Sequence, residues 1–158
     1  MTFDEAKNIL AAFERERVQY VLIGSMAMAA QGVIRATRDI DFFVSPDPEN
    51  VDRLRRALKS VFEDDPNVDE ITAGDLGGEY PAIEYTPPHG RFSLDILSRL
   101  GEAWRFEDLE SEILVVDDIS IRVATPAQIY RMKKDTLRPQ DRLDAEAIRE
   151  RFDLGEEG

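Results

Sequence analysis

The stretch IGSMAMAAQGVIRATRDIDFFV, residues Ile23 to Val44, decides the fold. Its second half, RDIDFFV, reads as a β-strand. Asp39 and Asp41 fall on one face, while Ile40, Phe42 and Val44 fall on the other. Two carboxylates side by side against a core repel each other and are costly to desolvate, so something has to cancel their charge. The first half closes an apolar run, VQYVLIG, at Gly24–Ser25 and passes into an alanine-rich helix that stops at Gly32. A strand that turns into a helix at Gly-Ser can offer backbone N–H groups and a hydroxyl to phosphate oxygens. The plainer reading is a turn in which Ser25 caps the helix. No Gly-Lys-Ser/Thr follows, so this is not a Walker A loop.

A third carboxylate recurs in the same setting. In RFSLDIL, Asp95 is flanked by Leu94 and Ile96, as Asp39 and Asp41 are flanked by Ile40 and Phe42. Carboxylates grouped on strands can share hard divalent cations such as Mg²⁺. A pair of such ions clamps the attacking and leaving oxygens of a phosphoryl-type displacement. The alternative is structural: Arg35 and Arg38 stand close enough in sequence to form ion pairs with the aspartates.

Composition bounds the rest. The 158 residues suit one domain, with 42% hydrophobic and 34% charged residues and no cysteine, which excludes disulfides and thiolate metal sites. No apolar run approaches the roughly 20 residues of a membrane span, and acids stand where a signal peptide carries bases. No membrane partner and a cytoplasmic location are expected. A net charge of −13 argues against a generally basic nucleic-acid binder. One local exception is the stretch RMKKDTLRPQDR, which holds Arg131, Lys133, Lys134, Arg138 and Arg142. It forms either a functional electropositive face or a helix face paired with the protein's own acids.

The spacing predicts a helix over FDEAKNILAAFERER with Thr2 as cap, and another after the turn residues SPDP, through Val51, Leu54, Leu58 and Val61. VDEIT, YPAIEYT and RFSLDIL read as strands joined by AGDLGGE and PPHG; EILVVDDISIRVAT reads as a hairpin turning at Asp117–Asp118. Thr125 and Pro126 open a helix, and RPQDRLDAEAIRERF gives a last one. The expectation is a single α/β (α+β) domain over residues 1–152, a mixed β-sheet flanked by helices, with 153–158 a disordered tail.

Taken together, the strand ending in Gly-Ser, the helix, the Asp-x-Asp strand and a later aspartate strand resemble the nucleotidyltransferase superfamily, which shares its fold with DNA polymerase β. The Arg-x-Thr-x-Asp-x-Asp form at Arg35, Thr37, Asp39 and Asp41 looks like the AbiEii branch, which includes toxins of type IV toxin–antitoxin systems. The region TPAQIYRMKKDTLRPQDRLDAEAI is similar to that branch's downstream part. The resemblance implies that Asp39, Asp41 and Asp95 are catalytic and ligate Mg²⁺ in a two-metal site, with Asp95 completing the site or acting as base. It implies that Gly24 and Ser25 hold phosphates, that Arg35 and Thr37 steady the loop or touch phosphate, and that Lys133, with Arg138 second, faces the triphosphate. Asp141 and Asp144 are expected to be structural and paired with arginines.

The implied reaction moves an NMP from an NTP such as ATP to a hydroxyl of an RNA 3′ end (tRNA among them), a partner protein or a small molecule. The longer toxins of the branch carry an extra helical domain for which 158 residues leave little room. The alternative is a non-catalytic module that keeps the fold and binds or regulates a partner; a homodimer through the middle strands is a third arrangement. His89 reads as a turn residue, Trp104 and Phe106 as anchors to the core, and Phe42, Phe43 and Phe62 as core. Tyr80 and Tyr85 are candidates for stacking on a base.

Overall fold

The computed structural model describes residues 3–34, 37–79, 81–88, 91–100 and 103–155. Thr2, Arg35, Tyr80, His89 and the tail residues 156–158 lie outside them. The strand read in Asp-x-Asp is β2 (Asp39–Val44), and the apolar run before it is β1 (Tyr20–Ile23), every residue of which is buried. They pair antiparallel, Ile23 opposite Asp41 and Tyr20 opposite Val44. Between them lies helix α2 (Gly24–Ala30). Gly32 at its end has a positive φ of 94°, and the N–H of Val33 reaches back to the carbonyl of Met28 at 2.8 Å. That closure satisfies the last turn, as a glycine after a helix allows.

Four further strands complete a six-stranded mixed sheet: β3 (Ala82–Tyr85), β4 (Ser93–Leu97), β7 (Ser111–Val116) and β8 (Ile119–Ala124), in the order β3-β4-β2-β1-β8-β7. A small hairpin, β5 (Arg99–Leu100) and β6 (Trp104–Arg105), stands apart. β4 runs parallel to β2, and β8 runs parallel to β1. The β7–β8 hairpin turns at Asp117 and Asp118, both at positive φ (49° and 68°), the hand that suits a two-residue hairpin. Trp104 and Phe106 pack against the core, as expected of anchors.

Helices α1 (Phe3–Glu16) and α3 (Pro48–Val61) cover one face. Phe13 meets Phe42 and Tyr20 with ring centroids 4.8 and 5.1 Å apart, and Phe62 meets Tyr85 at 5.6 Å. Ile40, Phe42 and Val44 are fully buried there. Asn50, 2% exposed, ties α3 to the strands: it accepts from the Gln19 N–H at 2.6 Å and donates to the carbonyls of Gln19 (3.0 Å) and Ser45 (2.8 Å). The other face receives α2 and α4 (Pro126–Lys133), and α5 (Pro139–Phe152) packs on α4. Thr125 caps α4, accepting from the Gln128 N–H at 3.1 Å, with Pro126 at the first position.

The middle of the chain departs from the sequence reading. VDEIT is not a strand: Pro66–Glu70 is a short 3-10 turn, with Asp65 accepting from the Asn67 N–H at 3.2 Å. Asp-Pro is here a helical start of the same kind as Thr125-Pro126, and it outweighs the β-propensity of Val68 and Ile71. AGDLGGE is not a hairpin connection either. Asp75–Glu79 is a π-helical turn that buries Leu76, whose carbonyl accepts a hydrogen bond from Ser98.

Candidate active site

β2 and β4 run side by side in register, Asp41 opposite Asp95 and Asp39 opposite Ser93. Across the next ladder Glu84 of β3 stands opposite Asp95. Paired residues share a face, so Glu84, Asp95 and Asp41 form one row of carboxylates, with Asp39 one step along β2. α2 packs on β2 and β1 and α4 on β8, and the row opens on a cleft beside them.

Gly24 sits against the row. Its φ is +69°, and a Cβ placed on it would lie 2.2 Å from Asp41 Oδ2. Only glycine permits that backbone conformation and that approach together. Ser25, 7% exposed, lies in the first turn of α2, and the cap position is held by Ile23 with no side-chain cap. Ser25 therefore does not cap the helix, which removes the plainer reading of Gly24–Ser25. Thr37 steadies the approach to β2: its hydroxyl accepts from the Asp39 N–H at 3.2 Å and donates to the Asp39 carbonyl at 3.1 Å.

The carboxylates are crowded. Burial pushes the Asp41 carboxyl up to about 7, helped by a hydrogen bond to Asp95 and by the charges of Asp95 and Asp39; Lys133 opposes this. Carboxylates set opposite one another on neighbouring strands repel when both are charged, a repulsion that a bound cation would relieve. Among the described residues no three side chains close around one point as a preformed metal cage. Mg²⁺ does not need one, because it keeps waters and binds through one or two carboxylates together with substrate phosphates. The hard oxygen donors of Asp39, Asp41 and Asp95, crowded on adjacent strands, fit such an ion.

Lys133 lies where the last turn of α4 meets the first turns of α5. Its ammonium is 2.8 Å from Asp144 Oδ2 and 3.4 Å from Asp141 Oδ1, with side chains 11%, 3% and 15% exposed. Gln140 donates to Asp144 (2.9 Å) and Thr136 to Asp141 (2.9 Å). Lys133 is thus a cation that both aspartates share, and Arg138 comes within 3.9 Å of Asp141 as the expected arginine partner. The basic stretch does not form one electropositive face. Arg131 pairs with Glu110 at 2.9 Å, Arg142 donates to the Thr136 carbonyl, and Lys134 lies over the Tyr130 ring.

Two cavities meet at the carboxylates. One, about 660 Å³, is polar and lined by Ser25, Thr37, Arg38, Asp39 and Gln140. The other, about 590 Å³, opens toward Ile83, Glu84, Leu97, Leu100, Ile129 and Met132. Asp41, Asp95, Lys133, Arg138 and Asp141 line both. Of the residues singled out in the sequence, the structure brings together Gly24, Ser25, Thr37, Asp39, Asp41, Asp95, Lys133 and Arg138. Sequence reading missed Glu84, whose alternation in YPAIEYT places it on a face but not beside Asp95. It also missed the second cavity, which only the sheet order reveals.

A strand ending in Gly-Ser, a short helix and a row of strand carboxylates at the mouth of a mixed sheet define the nucleotidyltransferase class of enzymes. The chain belongs to the AbiEii family: the family model, described as nucleotidyl transferase AbiEii toxin of a type IV toxin–antitoxin system, matches residues 8–155. No curated protein matches the chain. Among solved structures it is similar to a Thermotoga maritima protein described as a nucleotidyltransferase, at 17% identity and a TM-score of 0.55 over 97% of this chain and 93% of that one. It is also similar to ANT(2″)-Ia in complex with adenylyl-2″-tobramycin (14% identity, TM-score 0.57, 96% and 90%). The lincosamide antibiotic adenylyltransferase LnuA with lincomycin bound is a third (16%, 0.55, 94% and 97%). At these identities the likeness is one of fold. No helix among the described residues is long and apolar enough to cross a membrane.

Proposed function

We propose that the protein transfers a nucleoside monophosphate from an NTP to a hydroxyl acceptor, with Mg²⁺. The observation that carries this is the register of Asp41 against Asp95, with Asp39 one step along, at a polar cavity lined by Ser25 and Lys133, with Gly24 on the adjoining one. The polar cavity suits the triphosphate. Ser25 and the backbone beside it face the phosphates, Thr37 holds the Asp39 backbone, Lys133, fixed by Asp144 and Asp141, lines the triphosphate cavity, and the exposed Arg138 is the cation left to meet the leaving pyrophosphate. Arg35, expected near the same loop, belongs to this proposal on the sequence pattern alone.

Mg²⁺, held by Asp39, Asp41 and Asp95, would neutralise charge on the triphosphate and help the leaving group depart. Asp95 takes the proton of the acceptor hydroxyl. The hydroxyl oxygen then bonds to the α-phosphorus in line, and the bond to the bridging oxygen of pyrophosphate breaks. The products are the nucleotidylated acceptor and pyrophosphate, with the proton left on Asp95 for solvent.

An NTP is thus the first substrate, and the family's toxin–antitoxin setting adds a partner protein as context. For the acceptor, the neighbours holding adenylyl-2″-tobramycin and lincomycin favour a small molecule over an RNA end or a protein. The test is incubation with each α-³²P-labelled NTP, Mg²⁺, total RNA, cell protein and a small-molecule extract, beside the Asp39→Ala/Asp41→Ala double variant. Label transferred by the wild type alone supports the reading, and the labelled species names the acceptor class. Nucleotide binding without transfer to anything would favour the non-catalytic module, and equal transfer by both proteins would refute the assigned site.

A further inference from the structure

The 590 Å³ cavity beside Glu84 differs in chemistry from the polar cavity it adjoins. Its floor is apolar: Leu97, Ile129 and Met132 pack against the core, and Leu100, 44% exposed, stands at the rim. Its volume lies within the roughly 300–1,000 Å³ of small-molecule sites. Asp41 and Asp95 form its inner end. It therefore opens on the reacting centre from a side other than the phosphate-holding cavity, as an in-line acceptor requires.

The charges of its wall select among acceptors. Glu84, Asp95 and Asp141 all line it, and Glu84 has no hydrogen-bond or ion-pair partner among the described residues. Of its cations, Lys133 is already compensated by Asp144 and Asp141, and the Arg138 side chain is 82% exposed. A nucleic-acid end would need clustered free Lys and Arg to meet its phosphates. On this wall Lys133 is held by two aspartates, Arg138 projects into solvent, and Glu84 is, among the described residues, the unpartnered charge beside the apolar floor, within a chain of net charge −13. An apolar floor with a carboxylate at the rim instead suits an apolar body bearing a cation.

We propose that this cavity binds the acceptor, and that the acceptor is a small hydroxyl compound with an apolar body and an ammonium group set against Glu84. The inference rests on the nucleotidyltransferase reading. Its hydroxyl reaches the α-phosphorus past Asp95 while its ammonium stays at the rim.

The test measures binding rather than turnover. Calorimetry with the whole chain, Mg²⁺ present, compares trans-4-aminocyclohexanol, 1,4-cyclohexanediol, 4-hydroxycyclohexanecarboxylate and an RNA hairpin with a free 3′ end. A fluorescent ATP analogue is titrated into the same samples. The ammonium probe is expected to bind at least threefold tighter than the neutral diol and tighter still than the carboxylate. Glu84→Gln should remove most of that preference, Glu84→Asp should restore part of it, and Leu100→Trp, at the rim, should weaken all three probes. Nucleotide binding by each variant certifies its fold. Equal affinity for the three probes, no binding of the ammonium probe, or its displacement by the RNA hairpin would overturn the inference while nucleotide binding leaves the enzyme reading standing. Failure of the wild type to bind nucleotide would sink both.

Discussion

Replacing Asp41 with asparagine should stabilise the metal-free protein while abolishing its proposed chemistry. Asp41 moves from an ordinary 3.8 to about 7 because burial, Asp95 and Asp39 all disfavour its charge. A carboxyl displaced that far costs about 4 kcal/mol when it is ionised. Between those two values the native state holds a proton that the unfolded chain has released, so stability is highest on the acid side and is lost as pH rises toward 7. An asparagine keeps the shape and can donate to Asp95 without the charge. Allowing for the burial cost that the amide retains, the gain at pH 8 is about 2–4 kcal/mol, or roughly 5–15 °C in melting temperature for a chain of this size. Thermal melts in EDTA at pH 5 and pH 8 measure it. The wild type should melt lower at pH 8 than at pH 5, the variant should lose most of that difference, and Mg²⁺ should raise the wild type selectively. A variant less stable than the wild type at pH 8, or a wild type insensitive to pH and Mg²⁺, would refute the crowding of the three carboxylates.

Gly24→Ala places a methyl against Asp41 Oδ2 at a backbone angle that costs an L-residue about 1–2 kcal/mol; turnover should fall at least tenfold, with a modestly lower melting temperature. Asn50→Ala removes three part-buried hydrogen bonds between α3 and the ends of β1 and β2, and urea unfolding should show a loss of about 2–3 kcal/mol. Tyr85→Phe deletes the 2.7 Å bond from its hydroxyl to the buried Asp65 carboxylate, which also caps the Pro66–Glu70 turn. The same unfolding assay should register about 1–3 kcal/mol, with nucleotide binding retained.

The legible parts were those in which local chemistry and tertiary packing agree. Alternation in DIDFFV placed Ile40 and Phe42 under α1 and left Asp39 and Asp41 to the cleft, and two aspartates at positive φ turned the β7–β8 hairpin as read. Thr125-Pro126 and the Gly32 stop were equally local. The errors arose where a weak local signal met a strong capping one. Val68 and Ile71 have strand propensity, yet Asp65 and Pro66 start a helical turn that buries both. Glu84 and the partner of Lys133 were illegible for a different reason. Neither follows from spacing along the chain, since one depends on β3 joining β4 and the other on the short link that folds α5 back onto α4.

The most direct measurement follows the phosphates of the nucleotide. Wild type and Asp95→Asn are incubated with acceptor extract and with ATP labelled in parallel at the α or the γ position. Transfer of the α label to acceptor, with the γ label released in pyrophosphate and both lost in Asp95→Asn, is the expected result. Transfer of the γ label, or α transfer that persists in Asp95→Asn at the wild-type rate, would contradict nucleotidyl transfer at this row of carboxylates.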